Sequence, residues 1–177
     1  KGSFEVSASD TLSIDSPERF VSRAGEKLSH ALDAFKIEVK DLEAVDIGSS
    51  TGGFTDCLLQ RGAKKVIAID VGTDQLVSEL RVDPRVEVHE GTNVRSFSIP
   101  SPVDIAVIDV SFISLTLVLP KAYEFLKDGG LLKKGGIVVA LVKPQFEVGM
   151  ETAKKHRGVI TSEGEHRQVL EHVKSVA

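Results

Sequence analysis

Two rhythms of apolar and polar positions run through the chain. Near its start Phe4 and Val6, then Leu12 and Ile14, alternate with polar neighbours. That is the period of extended chain, so residues 1 to about 15 read as a short extended tail. From about Ser22 to Phe35 the period lengthens. Leu28, Ala31, Leu32 and Phe35 fall at i, i+3, i+4 and i+7, which predicts a helix that buries this one stripe. Lys27 lies about 100° round such a helix from Leu28. It sits at the edge of the stripe, where it can point along the surface toward a cleft.

Beyond the helix, short apolar runs alternate with helical segments. Ala44–Ile47, Val66–Ile69, the weaker Val86–His89, Ile105–Ile108 and Ile137–Val142 read as five strands. Between them, helices are expected from about Gly53 to Arg61, from Leu76 to Arg81, and from Leu115 to Leu126 with Pro120 interrupting it. Gly62 stops the first of these. After the fifth strand a polar loop is expected, then a last helix from near Ser162. There Ser162 and Glu165 have capping-box spacing, and Val169, Leu170, Val173 and Val176 form the apolar face. Apolar strands alternating with helices predict a doubly wound α/β fold with a mainly parallel sheet covered on both faces. Ligands of such folds bind at the carboxyl ends of the strands, so the residues just after each strand are where chemistry is to be sought.

The first strand ends in Asp46-Ile47-Gly48-Ser49-Ser50-Thr51-Gly52-Gly53-Phe54. Gly48 and Gly53 have the spacing of a phosphate-binding loop, but Phe54 stands where that loop needs lysine. Ser50 stands where a dinucleotide fingerprint needs its second glycine, and its side chain would crowd a pyrophosphate. S-adenosylmethionine suits the run better, having no phosphate. Asp46 could face its cationic methionine moiety, and backbone amides of Ser50 to Gly53 could take its carboxylate. Asp70, 22 residues past Gly48, is placed to accept the hydroxyls of an adenosine ribose, which fits a dinucleotide equally well. Thr92 and Asn93 after the third strand could line an adenine pocket or form a plain turn. Asp109 leaves the fourth strand in Asp109-Val110-Ser111-Phe112, without the two prolines common in base N-methyltransferases. Lys143 ends the fifth strand. A lysine there requires a partner, and Asp109 on the neighbouring strand is the candidate.

Composition narrows the class. The 177 residues are 41% hydrophobic and 27% charged, with net charge −4, as in one ordinary globular domain. No apolar run approaches the ~20 residues of a membrane span, and no signal peptide is visible. The single cysteine, Cys57, excludes an internal disulfide and a cysteine-built metal site. A cytoplasmic setting is expected. The acidic balance argues against a free-standing nucleic-acid binder, although Lys154-Lys155-His156-Arg157 and Arg19, Arg23 and Lys27 form two local basic groups. Taken alone, either reads first as a solvated face.

Four segments together resemble one family. They are Arg19 to Leu28 (RFVSRAGEKL), Asp46 to Asp56, Asp109 to Ser114 (DVSFIS), and Val142 to Glu147 (VKPQFE). These are similar to the TlyA, or hemolysin A, ribosomal RNA methyltransferases of the wider FtsJ-like group, from about Phe20 to the end. The resemblance implies a Rossmann-like fold, S-adenosyl-L-methionine as cofactor, ribosomal RNA or ribosomal subunits as partner, and methylation of a ribose 2′-hydroxyl. It implies a Lys-Asp-Lys-Glu tetrad whose first three members fall on Lys27, Asp109 and Lys143. The glutamate is expected in a late strand beyond the last helix, so the chain is expected to stop before its last strands. Residues 1–15 are expected to be a linker or remnant of an S4-type RNA-binding domain, and 16–177 the methyltransferase domain. An ordinary lysine is protonated at neutral pH. A second ammonium and partial burial favour the neutral base, which gives two lysines at one site chemical sense. Two other readings remain: a NAD-dependent oxidoreductase sharing this fold, and a non-enzymatic ribosome- or RNA-binding module or hemolysin.

Overall fold

The computed structural model describes Ser7, residues 19–127 and residues 136–177; the alternating tail around Phe4 to Ile14 lies outside them. Helix α1 (Arg23–Phe35) precedes five parallel strands: β1 (Glu43–Ile47), β2 (Lys65–Ile69), β3 (Val86–His89), β4 (Ile105–Ile108) and β5 (Ile137–Ala140). Helices α2 (Gly53–Gln60), α3 (Ser78–Arg81) and α4 (Leu119–Lys127) connect them, and α5 (Pro144–Glu147), α6 (Met150–Lys155) and α7 (Glu163–Lys174) follow. The strand order is β3-β2-β1-β4-β5. The chain therefore builds one half of the sheet outward from β1, returns, and builds the other half from β4. That reversal opens a crevice at the carboxyl ends of β1 and β4.

β4 and β5 are wholly apolar and β1 and β2 mostly so, because helices cover both faces, whereas the edge strand β3 alternates as Val-Glu-Val-His. In all of them side chains alternate between the two faces. Ala44, Val66, Ile105 and Val107 pack with Leu28 and Leu32 of α1 and Phe54 and Leu58 of α2. Val45, Ile47, Ile67, Ile69, Ala106 and Ile108 pack with Val118, Ala122 and Phe125 and with Val169 and Val173 of α7. Asp46 shares parity with Ala44, so it points toward α2.

Several elements differ from the sequence expectation for local reasons. Phe35, predicted on the buried stripe of α1, is 68% exposed. It is the last helical residue, and at Lys36 the chain enters a left-handed turn with φ 55° that carries Ile37, not Phe35, onto the core. The segment 115–127 is two pieces: a 3₁₀ turn at Leu115–Leu117, then α4 with Pro120 in its first turn. A proline there gives up an amide that has no helical partner in any case. The expected polar loop holds α5 and α6, which are too short to show a period. The fifth strand stops at Ala140, short of Val142. In α7, Ser162 caps the helix by accepting from the Glu165 amide at 3.4 Å. Val169 and Val173 are buried there, whereas Leu170 and Val176 are exposed.

This division of α1 is measurable. Leu32→Ala should lower the unfolding free energy by about 2–5 kcal/mol, the range for a buried leucine. Phe35→Ala should stay within about 0.5 kcal/mol. Urea unfolding of the two variants, with equal losses, would place Phe35 in the core after all.

Candidate functional site

The crevice is built from the exits of β1, β2 and β4. Asp109 continues the pairing one residue past β4, its amide donating to the Ile47 carbonyl at 3.0 Å. Gly48 then has φ +86°, and a Cβ added there would stand 2.7 Å from the Asp109 carbonyl oxygen. Only glycine lets the two strand exits lie this close. The amides of Gly48 and Ser49 both donate to the Ile69 carbonyl, at 2.8 and 3.1 Å, turning the chain over β2. The result is a cleft of about 470 Å³ whose wall includes Gly48, Ser50, Asp70, Thr92, Asn93 and Asp109. That volume is in the range of small-ligand sites.

Asp70 holds the turn in shape. Its Oδ2 accepts from the Ser50 amide at 2.8 Å and its Oδ1 from the Gly72 amide at 2.7 Å. Ser50 has the left-handed φ of 46°, so this bond secures a conformation that a serine alone disfavours. Glu90 secures the neighbouring wall. It accepts from the amides of Asp74, Gln75 and Leu76 and from Arg81. The Leu76 amide first, then the Arg81 guanidinium, hold its carboxyl down at about 2.

The rest of the glycine run does something other than expected. Gly52 has φ +101°, and a Cβ there would meet Leu80 Cδ1 at 2.3 Å. A Cβ at Gly53 would meet Ser22 Oγ at 2.2 Å and the Gly25 amide nitrogen at 3.0 Å. Both glycines are thus required by packing of α2 against α3 and α1. Phe54 is in the core beside them, Ser49 is buried, and Thr51 is exposed; none of the five lies on the cleft wall. The amides of Ser50 and Gly52, expected to await a carboxylate, are bonded to Asp70 and to the Ser49 carbonyl.

Asp46 does not face the cleft either. It is fully buried and accepts from Thr55 Oγ1 of α2 at 2.7 Å, while its Oδ1 is buried without a hydrogen-bond partner. Burial pushes its carboxyl up to about 7 against the hydrogen bonding from Thr55, and the charges of Asp109 and Asp70 add to the rise. The strand's period-two alternation explains the misplacement. The proximity of an acidic residue to a glycine turn in sequence says nothing about which face it occupies.

Asp109 and Lys143 do come together, with Nζ 2.6 Å from Oδ1 and side chains 20% and 14% exposed, lysine first. Pro144 confines the residue before it to extended backbone. Lys143 accordingly has φ −111° and ψ 98° and caps α5, which leaves its side chain beside β4. The contact is an ion pair without hydrogen-bond geometry, since Asp109 Oδ1 has no hydrogen-bond partner. The directed bond of Nζ goes to Ser111 Oγ at 2.8 Å.

Lys27 is exposed on the second turn of α1, and among the described residues no ion pair or hydrogen bond joins it to Asp109 or Lys143. The start of α1 abuts Gly53, so Lys27 lies toward the sheet end that carries the cleft. The structure therefore brings two of the three expected catalytic residues into contact and leaves the third near their end of the sheet. Glu147, not singled out from the sequence, accepts from Ser114 Oγ and the Leu115 amide and fixes the turn after β4. Sequence reasoning passed over Ser111, Gln75 and Glu90. Ser111 was reachable, as it directly follows a strand exit. The role of Glu90 depends on a long-range fold-back onto residues 74–76 that no local pattern announces.

The sequence profile of FtsJ-like methyltransferases matches residues 20–176. The chain belongs to the FtsJ-like methyltransferase family. It is 48% identical over 162 residues to a candidate rRNA methyltransferase, YqxC, of Bacillus subtilis, covering 89% of this chain and 55% of that protein. It is 49% identical over 142 residues to the 16S/23S rRNA (cytidine-2′-O)-methyltransferase TlyA of Mycobacterium tuberculosis, covering 78% of this chain and 51% of that protein. The chain thus spans about half the length of these relatives. A solved structure of a candidate hemolysin from Lactococcus lactis superposes with a TM-score of 0.83 at 45% identity, covering 91% of this chain and 76% of that one. The likeness bears out the Rossmann-like fold. Among the described residues of this FtsJ-like domain, no helix is long and apolar enough to cross a membrane.

The buried Asp46 has a pH signature. Its carboxyl ionises near 7 when folded against an ordinary 3.8. The folded state therefore holds a proton that the unfolded state has released. That stability is fully present below about 3.8 and is lost as pH rises through about 7. Asp46→Asn, which keeps an acceptor for Thr55, should flatten the decline. Urea midpoints of wild type and variant between pH 4 and 8 check this, and parallel curves would contradict it.

Proposed function

We propose that this chain transfers a methyl group from S-adenosylmethionine to a ribose 2′-hydroxyl of ribosomal RNA. The observation that carries the reading is the Asp109–Lys143 pair at 2.6 Å beside a cleft whose wall is made by Gly48, Ser50 and Asp70. The cofactor fits the residues present. Asp70 and Asp109 put negative charge on the wall, suited to a ligand bearing a sulfonium and an ammonium, and Thr92 and Asn93 also line it. Gly48, whose Cβ position is already taken by the Asp109 carbonyl, leaves the floor low. Asp70 keeps the turn shaped, and its carboxylate oxygens, each with a further lone pair, would be available to accept from the cofactor's ribose hydroxyls. When bound, the cofactor supplies an electrophilic methyl and leaves as the neutral thioether.

The protein's task is then to make a weak nucleophile attack. A ribose hydroxyl must lose its proton, or have it strongly polarised, as the oxygen–methyl bond forms. Lys143 Nζ takes that proton or stabilises the oxyanion, with the Asp109 carboxylate beside it as the opposing charge. Lys27 reaches in from α1 to orient the hydroxyl and offset its developing charge. The RNA assignment is supported by the name of the Mycobacterium tuberculosis relative and by the exposed Arg19, Arg23 and Lys27 around the start of α1. A dinucleotide reading gains nothing from the geometry. Ser50 sits on the cleft wall, where its side chain narrows the room for a pyrophosphate.

Lys143→Ala in the full-length protein should reduce methyl transfer to ribosomal RNA by roughly 10²–10⁴-fold, the range for a positioned acid–base group. Cofactor affinity, measured by calorimetry, should be kept. Turnover at the wild-type rate would contradict the assignment of Lys143. A loss of cofactor binding would turn Lys143 into a structural residue.

A further inference from the structure

We propose that Ser111 is the positioning residue that aims the Lys143 amine, while Asp109 supplies only the opposing charge; this rests on the reading of Lys143 as the proton acceptor. A lysine ammonium is a compact charge on a flexible stem with rotatable donors. A point attraction fixes its distance and leaves its direction free. Asp109 Oδ1 acts on Nζ in that manner. It lies 2.6 Å away yet has no hydrogen-bond partner, so the approach fails the angles a hydrogen bond requires. Ser111 Oγ is the atom to which Nζ donates with hydrogen-bond geometry, at 2.8 Å.

One fixed N–H direction constrains the remaining positions of a tetrahedral nitrogen. Charge from one neighbour and direction from another leave a defined position for the substrate hydroxyl. Both neighbours belong to the cleft wall, and both are delivered by the same strand exit, two residues apart. That exit is anchored on both sides of Ser111. The amide of Asp109 is bonded to the Ile47 carbonyl. Glu147 pins Ser114 and Leu115 just beyond.

A hydroxyl suits the role better than a second carboxylate. It adds no negative charge that would hold the lysine in its ammonium form. An amine keeps N–H groups in both protonation states, so the Nζ–H···Oγ bond persists as the proton arrives or departs. Another position on nitrogen stays open to the ribose oxygen.

The test uses Ser111→Ala, Ser111→Thr and Lys143→Ala in the full-length protein, with steady-state methylation of ribosomal RNA and calorimetric binding of S-adenosylmethionine. Ser111→Ala should lower kcat by roughly tenfold to a hundredfold, the worth of a hydrogen bond to a charged group. KM for RNA and cofactor affinity should stay within about twofold. Ser111→Thr, which restores the hydroxyl at an exposed position, should recover most of the rate. A Ser111→Ala enzyme with wild-type kcat overturns the proposal. So does a loss confined to KM or shared with cofactor binding, or a threonine variant no better than alanine. Lys143→Ala separates the two levels. If it is inert while Ser111→Ala is fully active, only the role of Ser111 falls. If Lys143→Ala turns over normally, the proton-acceptor reading falls and takes this inference with it.

Discussion

The close pass of β1 and β4 at their carboxyl ends is the constraint on which the site depends. Gly48 and the Asp109 carbonyl occupy space that no side chain could share. Because the strand order reverses between these two strands, their exits diverge from there, β1 toward α2 and β4 toward the 3₁₀ turn at Leu115. The gap they leave is the cleft. Asp109 stands at the lip of that gap because its amide still belongs to the sheet. Lys143 reaches it because β5 is the next strand over and Pro144 keeps the lysine extended.

Around that constraint, charge is distributed by depth. Three carboxylates lie near the turn. Asp46 is wholly buried below it and its carboxyl is pushed up to about 7 by burial. Asp70 braces the turn from the side through two backbone amides. Asp109 faces the cleft and pairs with a lysine. Only the last two meet the space where a cationic ligand would lie. The first is part of the bond between β1 and α2, joined through Thr55. An acidic residue beside a glycine turn is therefore divided here into structural and chemical members by strand parity alone.

Much of the fold was legible because apolar strands and helix periods are local signals. Val86–His89 and Ile105–Ile108 match the structure residue for residue, and β1 and β2 differ by one. The failures occur where the outcome depends on something distant. Phe35 has the right spacing but closes α1 where the chain turns away, and Leu170 lies beside the buried Val169 and Val173, off the face that α7 turns to the sheet. The glycines at 52 and 53 read as ligand glycines because their neighbours α1 and α3 are not visible in the local sequence. In the site, the pairing of Asp109 with Lys143 followed from the two residues ending adjacent strands. The directed bond to Ser111 did not, since it turns on an angle. The resemblance to FtsJ-like methyltransferases named Lys27, an exposed residue that, among the described residues, no bond joins to the ion pair and that the fold alone does not single out.

The central claim is that this cleft directs methyl transfer to a ribose oxygen. Mass-spectrometric mapping of ribosomal RNA nucleosides, with and without the full-length protein, addresses it most directly. The account predicts a gained methyl group on a ribose, at a nucleotide whose 3′ linkage becomes resistant to alkali because its 2′-hydroxyl is blocked. A methyl group gained on a base, or no gain at all with intact cofactor and ribosomal subunits supplied, would contradict it.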